Sequence, residues 1–163
     1  MKISQKVEKK INDQINHEFY SAYLYLAMSA YFERNNLKGF AHWMRKQAEE
    51  EKEHAMKYFN YVFERQGNVV LEAIEKPKKE WKNPLEVFEE AFKHEQKVTS
   101  LIYEINNVAE EEKDYATISF NKWFVDEQVE EEATALEIVE KLKLIGDNKQ
   151  GLFMMDSILG KRE

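Results

Sequence analysis

The stretch "GFAHWMRKQAEEEKEHAMK", residues 39–57, is written as one face of an amphipathic helix. Phe40, Met44, Ala48 and Ala55 follow one another at helical intervals, and Tyr58 and Val62 carry the stripe onward. Where the stripe should continue between Ala48 and Ala55 stands Glu51, with His54 three residues later. Glutamate is rarely buried unless it is paired or bound to a metal, because desolvating its charge is costly. The reading of "EEEKEH", residues 49–54, therefore turns on which acids face water and which face the core.

The same interruption occurs in three other segments. The first predicted helix runs from Ser4 to Arg34 with the stripe Val7, Ile11, Ile15, Ala22 and Leu26, and Glu18 falls inside it. The helix containing Glu51 spans Lys38 to Gly67. A third opens at "NPLE", residues 83–86, where an Asn cap, a Pro in the first turn and a Glu three residues on form a strong start. Its stripe is Phe88, Phe92, Val98, Ile102 and Ile105, interrupted by Glu95. A fourth is capped by Asp114, carries Phe120, Phe124, Ala135, Ile138 and Leu142, and stops at Gly146; Glu127, Gln128 and Glu131 lie between Phe124 and Ala135. The acidic run at 110–112 is read as loop, with no role beyond solvation.

Composition agrees with an all-α chain. Five Gly and two Pro among 163 residues leave few turns. The four long helices are each roughly 40–46 Å long at 1.5 Å per residue. Short breaks make two antiparallel hairpins, and the connection before Asn83 is long enough to traverse the molecule. The expected architecture is a four-helix bundle with one long crossover. It occupies one domain over 1–163, with the bundle at about 4–145 and a short fifth helix at about 148–160. Within "LFMMDSIL", residues 152–159, Leu152, Met155, Ile158 and Leu159 share one side, and neighbouring subunits are their expected partners. The net charge of −7 without a basic run argues against nucleic acid and anionic membranes. No apolar run has the length of a membrane span, and "MKISQKVEKK" lacks the core of a signal peptide, so a cytoplasmic setting is expected. The absence of cysteine excludes thiolate ligands and nucleophiles.

An internal repeat ties the four interruptions together. "HE" occurs at 17–18 and at 94–95; the same shift of 77 carries Glu51 to Gln128 and His54 to Glu131. Two such hairpins facing each other would bring Glu18, Glu51, His54, Glu95, Gln128 and Glu131 to one level of the core. Residues at i and i+3 point the same way on a helix. Four carboxylates and one imidazole suit two divalent cations, iron or manganese by donor type. Ferritin-like di-iron proteins are the standing example of this arrangement.

The stretches "INHEFYSAYLYLAMSAYF" (15–32), 39–57, "FKHEQKVT" (92–99) and "SFNKWFVDEQVEEEA" (119–133) together resemble non-haem ferritins of the bacterial and archaeal kind. The resemblance covers nearly the whole chain and implies a ferroxidase centre. It assigns a first iron to Glu18, Glu51 and His54, and a second to Glu51, Glu95 and Glu131, with Glu51 bridging. Gln128 would orient oxygen or water, and Tyr25 matches the family's site tyrosine, although a packed core tyrosine is the other reading. A third iron would use Glu50, Glu127 and Glu130, with Glu131 shared. Glu50 itself points about 100° away from Glu51. In such proteins twenty-four bundles form a hollow cage, where iron(II) is oxidised by O2 or peroxide and stored as iron(III) mineral.

Departures from relatives are informative. Bacterioferritins and rubrerythrins repeat Glu-x-x-His on the fourth helix, where this chain has Gln128-x-x-Glu131. The haem-ligand methionine of bacterioferritin would fall at Lys52, so no haem is expected. His17 and His94 adjoin ligands but point off the stripe and read as surface or supporting groups. The alternative function is a soluble di-iron oxidase or peroxidase that stores no mineral.

Overall fold

The computed structural model describes residues 1–163: five helices, α1 (Gln5–Arg34), α2 (Lys38–Glu64), α3 (Pro84–Glu111), α4 (Tyr115–Ile145) and α5 (Lys149–Leu159). Local chemistry sets most starts. The side chains of Ser4, Asn83, Asp114 and Asn148 accept from the backbone N–H groups of Val7, Glu86, Thr117 and Gly151. α2 lacks such a cap. Its start is satisfied from far along the chain, where Asp156 Oδ1 accepts from Gly39 N at 2.8 Å and Phe40 N at 3.0 Å.

The crossover fixes the topology. The N–H of Ile3 donates to the carbonyl of Arg65, so α2 ends where α1 begins. Residues 65–83 then run back along α1. Asn12 bonds the carbonyl of Asn68 and the N–H of Val70, Asn16 the carbonyls of Glu72 and Ala73, and Arg34 the carbonyl of Lys79. α3 therefore starts beside the beginning of α2, with Phe88 against Phe40 and Trp43, and lies parallel to α2. α4 starts at the far end of α2, where Asp114 pairs with Arg65 at 3.0 Å, and returns antiparallel. This is the all-α bundle with one long crossover and a short fifth helix. No helix is long and apolar enough to cross a membrane.

Four details differ from expectation. Leu26 is 49% exposed; past Glu18 the buried face of α1 passes through Ser21, Tyr25, Met28 and Phe32 instead. The buried positions Val7, Ile11, Gln14, Glu18, Ser21, Tyr25, Met28 and Phe32 alternate steps of four and three, the 3.5-residue period of packed helices, and steps of seven and four from Ile15 carry Leu26 off that stripe. α2 ends at Glu64 rather than Gly67, and Gln66 takes the left-handed conformation with φ 57°. Gly67 is needed for space: a Cβ there would lie 2.6 Å from Glu8 Oε2 and 2.9 Å from Ile3. Glu110 and Glu111 form the last turn of α3 rather than a loop, with Glu112 as its cap. In α5, Met155 and Leu159 join the core of their own bundle and Leu152 packs against it, whereas Ile158 is 55% exposed alongside Phe153 and Met154.

The core falls into two apolar clusters. One, around Phe32, Phe40, Met44 and Phe88, fills the end that carries α5; the other, around Ile11, Ile15, Tyr58, Ile102 and Phe124, fills the opposite end. Between them lies a buried polar layer.

Candidate metal centre

Each long helix contributes to this layer at mid-length: Glu18 from α1, Glu51 and His54 from α2, Glu95 from α3, Gln128 and Glu131 from α4, all buried. Facing apolar stripes draw the helices together on both sides, so the interrupting side chains have nowhere to go but inward. Glu18, Glu51 and His54 offer ligand atoms that all lie within 4.8 Å of one another. His54, Glu127 and Glu131 form a second such group. His54 Nδ1 is 3.6 Å from Glu51 Oε2.

The surrounding hydrogen bonds leave room for a cation. Gln14 Nε2 donates to Glu18 Oε1 at 2.7 Å, and Gln47 Nε2 donates to Glu51 Oε1 at 3.2 Å and Glu131 Oε2 at 2.8 Å. Tyr25 Oη donates to Glu95 Oε1, and Gln128 Nε2 to Glu95 Oε2 at 3.1 Å. Glu18 Oε2 is buried and has no partner. A buried carboxylate oxygen without a donor is costly unless a proton or a metal ion satisfies it. Glu18 with Glu51 and His54 makes an O,O,N set that fits iron or manganese.

The electrostatics point the same way. Burial pushes Glu18 and Glu51 well above the usual carboxylate range; the charge of Glu51 adds to the effect on Glu18, and those of Glu95 and Glu131 to that on Glu51. Burial raises Glu95 to about 7 against the hydrogen bonds from Tyr25 and Gln128. Burial, with the charge of Glu95, brings Glu131 to about 7 as well. Like charges in one dry site cannot all ionise without a counter-ion. A divalent cation would replace protons here, so binding and proton release are coupled.

The other sequence candidates are distributed as follows. Glu127 lies within the second group. Glu130 is exposed, and Glu50 is held by Arg162, whose Nη2 donates to Glu50 Oε2 at 2.6 Å. Tyr25 is both core and site: it is fully enclosed, and its hydroxyl is on Glu95. His94 is half-buried and takes the supporting place of the two expected for it. Its Nε2 is 2.7 Å from Ser21 Oγ, its ring meets Tyr25 edge-on, and burial lowers it to about 4. Sequence reasoning missed Gln14 and Gln47, although each stands four residues before a ligand, at the same interval of 33 that separates Glu18 from Glu51. It also missed Thr99, whose hydroxyl accepts from Gln128 and donates to Glu132, and Trp123, which lies edge-on to His54.

Fold and site together define a four-helix bundle protein with a buried carboxylate–histidine cluster that could hold a metal ion. Residues 8–145 match the family model of the ferritin-like domain. The bacterial non-heme ferritin of Bacteroides fragilis (strain 638R) is 48% identical over 160 residues, 98% of this chain and 99% of that protein. That of Staphylococcus aureus (strain MRSA252) is 39% identical over 160 residues, 98% of this chain and 96% of that protein. Among solved structures, the open-pore ferritin of the hyperthermophilic archaeon Archaeoglobus fulgidus superposes with a TM-score of 0.98 at 53% identity, covering 99% of this chain and 98% of that one. The chain belongs to the ferritin family.

Proposed function

We propose that this protein stores iron: each bundle oxidises iron(II) at the buried centre with O2 or peroxide, and a cage of twenty-four identical subunits retains the iron(III) as mineral. The observation that carries this reading is the partnerless Glu18 Oε2 inside a layer of four raised carboxyls and one imidazole. Nothing in a purely structural core calls for such a layer, and every feature of it favours cation entry.

The residues divide the work. Glu18, Glu51 and His54 hold one iron(II); Glu51 bridges to a second held with Glu95 and Glu131. Glu127, beside His54 and Glu131, serves a further ion with Glu50 and Glu130. Two iron(II) ions give up one electron each, and O2 takes both with two protons to become hydrogen peroxide. The carboxyls of Glu95 and Glu131, at about 7 in the metal-free chain, release their protons as the cations arrive, so iron binding is pH-dependent and the two protons for the peroxide come from water. Gln128 and Tyr25 keep Glu95 oriented. Carboxylates favour iron(III) over iron(II), and a single nitrogen donor leaves exchange possible.

The decisive experiment adds iron(II) in air to the assembled protein and to Glu51→Ala, following absorbance and particle size. The expected result is rapid oxidation and a mineral-filled particle of the mass of a large cage for the parent only. Oxidation by Glu51→Ala at the parent's rate, or a parent that remains a small oligomer, would overturn the proposal.

A further inference from the structure

Arg162, next to the last residue of the chain, reaches back to the edge of the metal centre. Its Nη2 donates to Glu50 Oε2 at 2.6 Å, its Nη1 donates to Gln47 Oε1 at 2.9 Å, and the guanidinium lies 4.4 Å from the centre of the Trp43 ring. The carbonyl of Arg162 accepts from His42 Nε2 at 2.6 Å, so the tail is fastened at two points. Gln47 is buried, and its amide nitrogen donates to both Glu51 and Glu131. A guanidinium has donors only, so Gln47 must turn its oxygen to Arg162 and its nitrogen to the carboxylates. One fixed positive charge is thereby linked through a single amide to two of the residues assigned to iron. Glu50 is also close enough to Glu131 for its charge to contribute to raising it.

We infer that Arg162 is a tethered counter-cation. It stands beside Glu50, outside the Glu51–Glu131 pair, where a further divalent cation would sit, and such a cation binds there only by displacing the guanidinium. This deepens the metal-centre reading and rests on it. Two effects act in the same direction: the guanidinium occupies Glu50, and its charge repels an incoming cation. The side chains of Arg162 and Glu50 are 21% and 43% exposed, so water competes for the pair and displacement is feasible. The Arg65–Asp114 pair makes a useful contrast. Its side chains are 13% and 9% exposed, both guanidinium nitrogens engage the carboxylate, and it is built to stay. Arg162 is thus a positioning residue. It sets which acids are free for metal, and it couples the end of the chain to occupancy of the centre.

The test titrates the iron-free, assembled protein with Zn(II), which has no redox chemistry, by calorimetry, with particle size verified for each variant. The parent is expected to bind a tight pair of Zn(II) per subunit and a further ion weakly. In Arg162→Gln the further ion tightens roughly fivefold, and the tight pair is unchanged. Arg162→Lys keeps the charge and stays near the parent. The double variant Glu50→Gln/Arg162→Gln loses the gain. Hydrogen exchange supplies a second readout: amides of residues 160–163 in the parent should exchange faster once the further ion binds. An Arg162→Gln isotherm equal to or weaker than the parent's overturns the inference. So does an equal shift in Arg162→Lys and Arg162→Gln, which would mark Arg162 as packing on Trp43. Unchanged exchange of the tail at saturation also overturns it, and this readout decides the matter should Arg162→Gln fail to assemble. Failure of the underlying reading looks different: the parent itself would then show no tight pair.

Discussion

Two polar clusters lie inside this bundle, and they are built on opposite principles. At the end where α2 gives way to the crossover, Tyr58 Oη donates to Asn121 Oδ1 at 2.6 Å, and Asn121 Nδ2 donates to the carbonyl of Ile102 and to Asn106. Nearby, Arg65 engages Asp114, Tyr61 and Thr117. None of these buried side-chain atoms lacks a partner. At mid-length the carboxyl oxygens outnumber the donors, four carboxyls crowd one imidazole, and Glu18 Oε2 is left over. A satisfied network specifies a structure; an unsatisfied one leaves a place for something that arrives later.

The largest expected effect tests the unsatisfied cluster. Glu51→Ala should lower the rate of iron(II) oxidation by roughly 100-fold, read by stopped-flow absorbance, while the helical signal is kept. An equal loss of helicity would show that the acids hold the fold after all. Next, Asn121→Ala in the satisfied cluster should cost about 2 kcal/mol of stability in a denaturant titration, because it strands Tyr58, Asn106 and the carbonyl of Ile102. Its Zn(II) affinity should stay at the parent's level. A drop would mean the clusters are coupled and the contrast is false.

A third effect depends on pH. Glu95 and Glu131 sit at about 7 in the folded, metal-free chain, above the ordinary 4.5. Between those values the folded state binds more protons than the unfolded one. The stability these carboxyls contribute is therefore fully present below about pH 4.5 and lost as pH rises through about 7. Metal-free protein should lose on the order of 3 kcal/mol per carboxyl across that window, and Glu95→Gln or added Zn(II) should flatten the slope. Stability that rises with pH in the metal-free parent would contradict the assignment. The smallest effect concerns supporting donors: Gln14→Ala should change Zn(II) affinity only about threefold, because it removes a single hydrogen bond, to Glu18 Oε1.

Much of this was legible in the sequence for local reasons. Ser4, Asn83 and Asp114 act on N–H groups three residues away, so a cap can be read without knowing the fold. Glu18, Glu51, His54, Glu95, Gln128 and Glu131 showed as breaks in apolar stripes, and the helical period carries such breaks inward. The illegible parts depend on distant chain. Leu26 was placed inward only by letting the stripe slip. The exposure of Ile158 depends on which side of α5 meets α2. Arg162 and Glu50 are 112 residues apart, and no periodicity connects them. The second grouping of His54 with Glu127 and Glu131 needs side-chain reach across two helices, which spacing alone does not give.

The crossover along α1 bears on the order of folding. The two hairpins, α1–α2 and α3–α4, are joined by short turns and can form early from near neighbours in the chain. Bringing them together means closing the segment 65–83, a conformational cost of about 2–3 kcal/mol. Asn12 and Asn16 help by catching that segment from the first hairpin. The buried acids are shared between the hairpins, with Glu18 and Glu51 on one and Glu95 and Glu131 on the other. The repulsion of Glu51 with Glu95 and Glu131 therefore falls on the docking step. A cation present during refolding should speed that step and leave helix formation untouched, so metal would act as a late fastener between two finished halves.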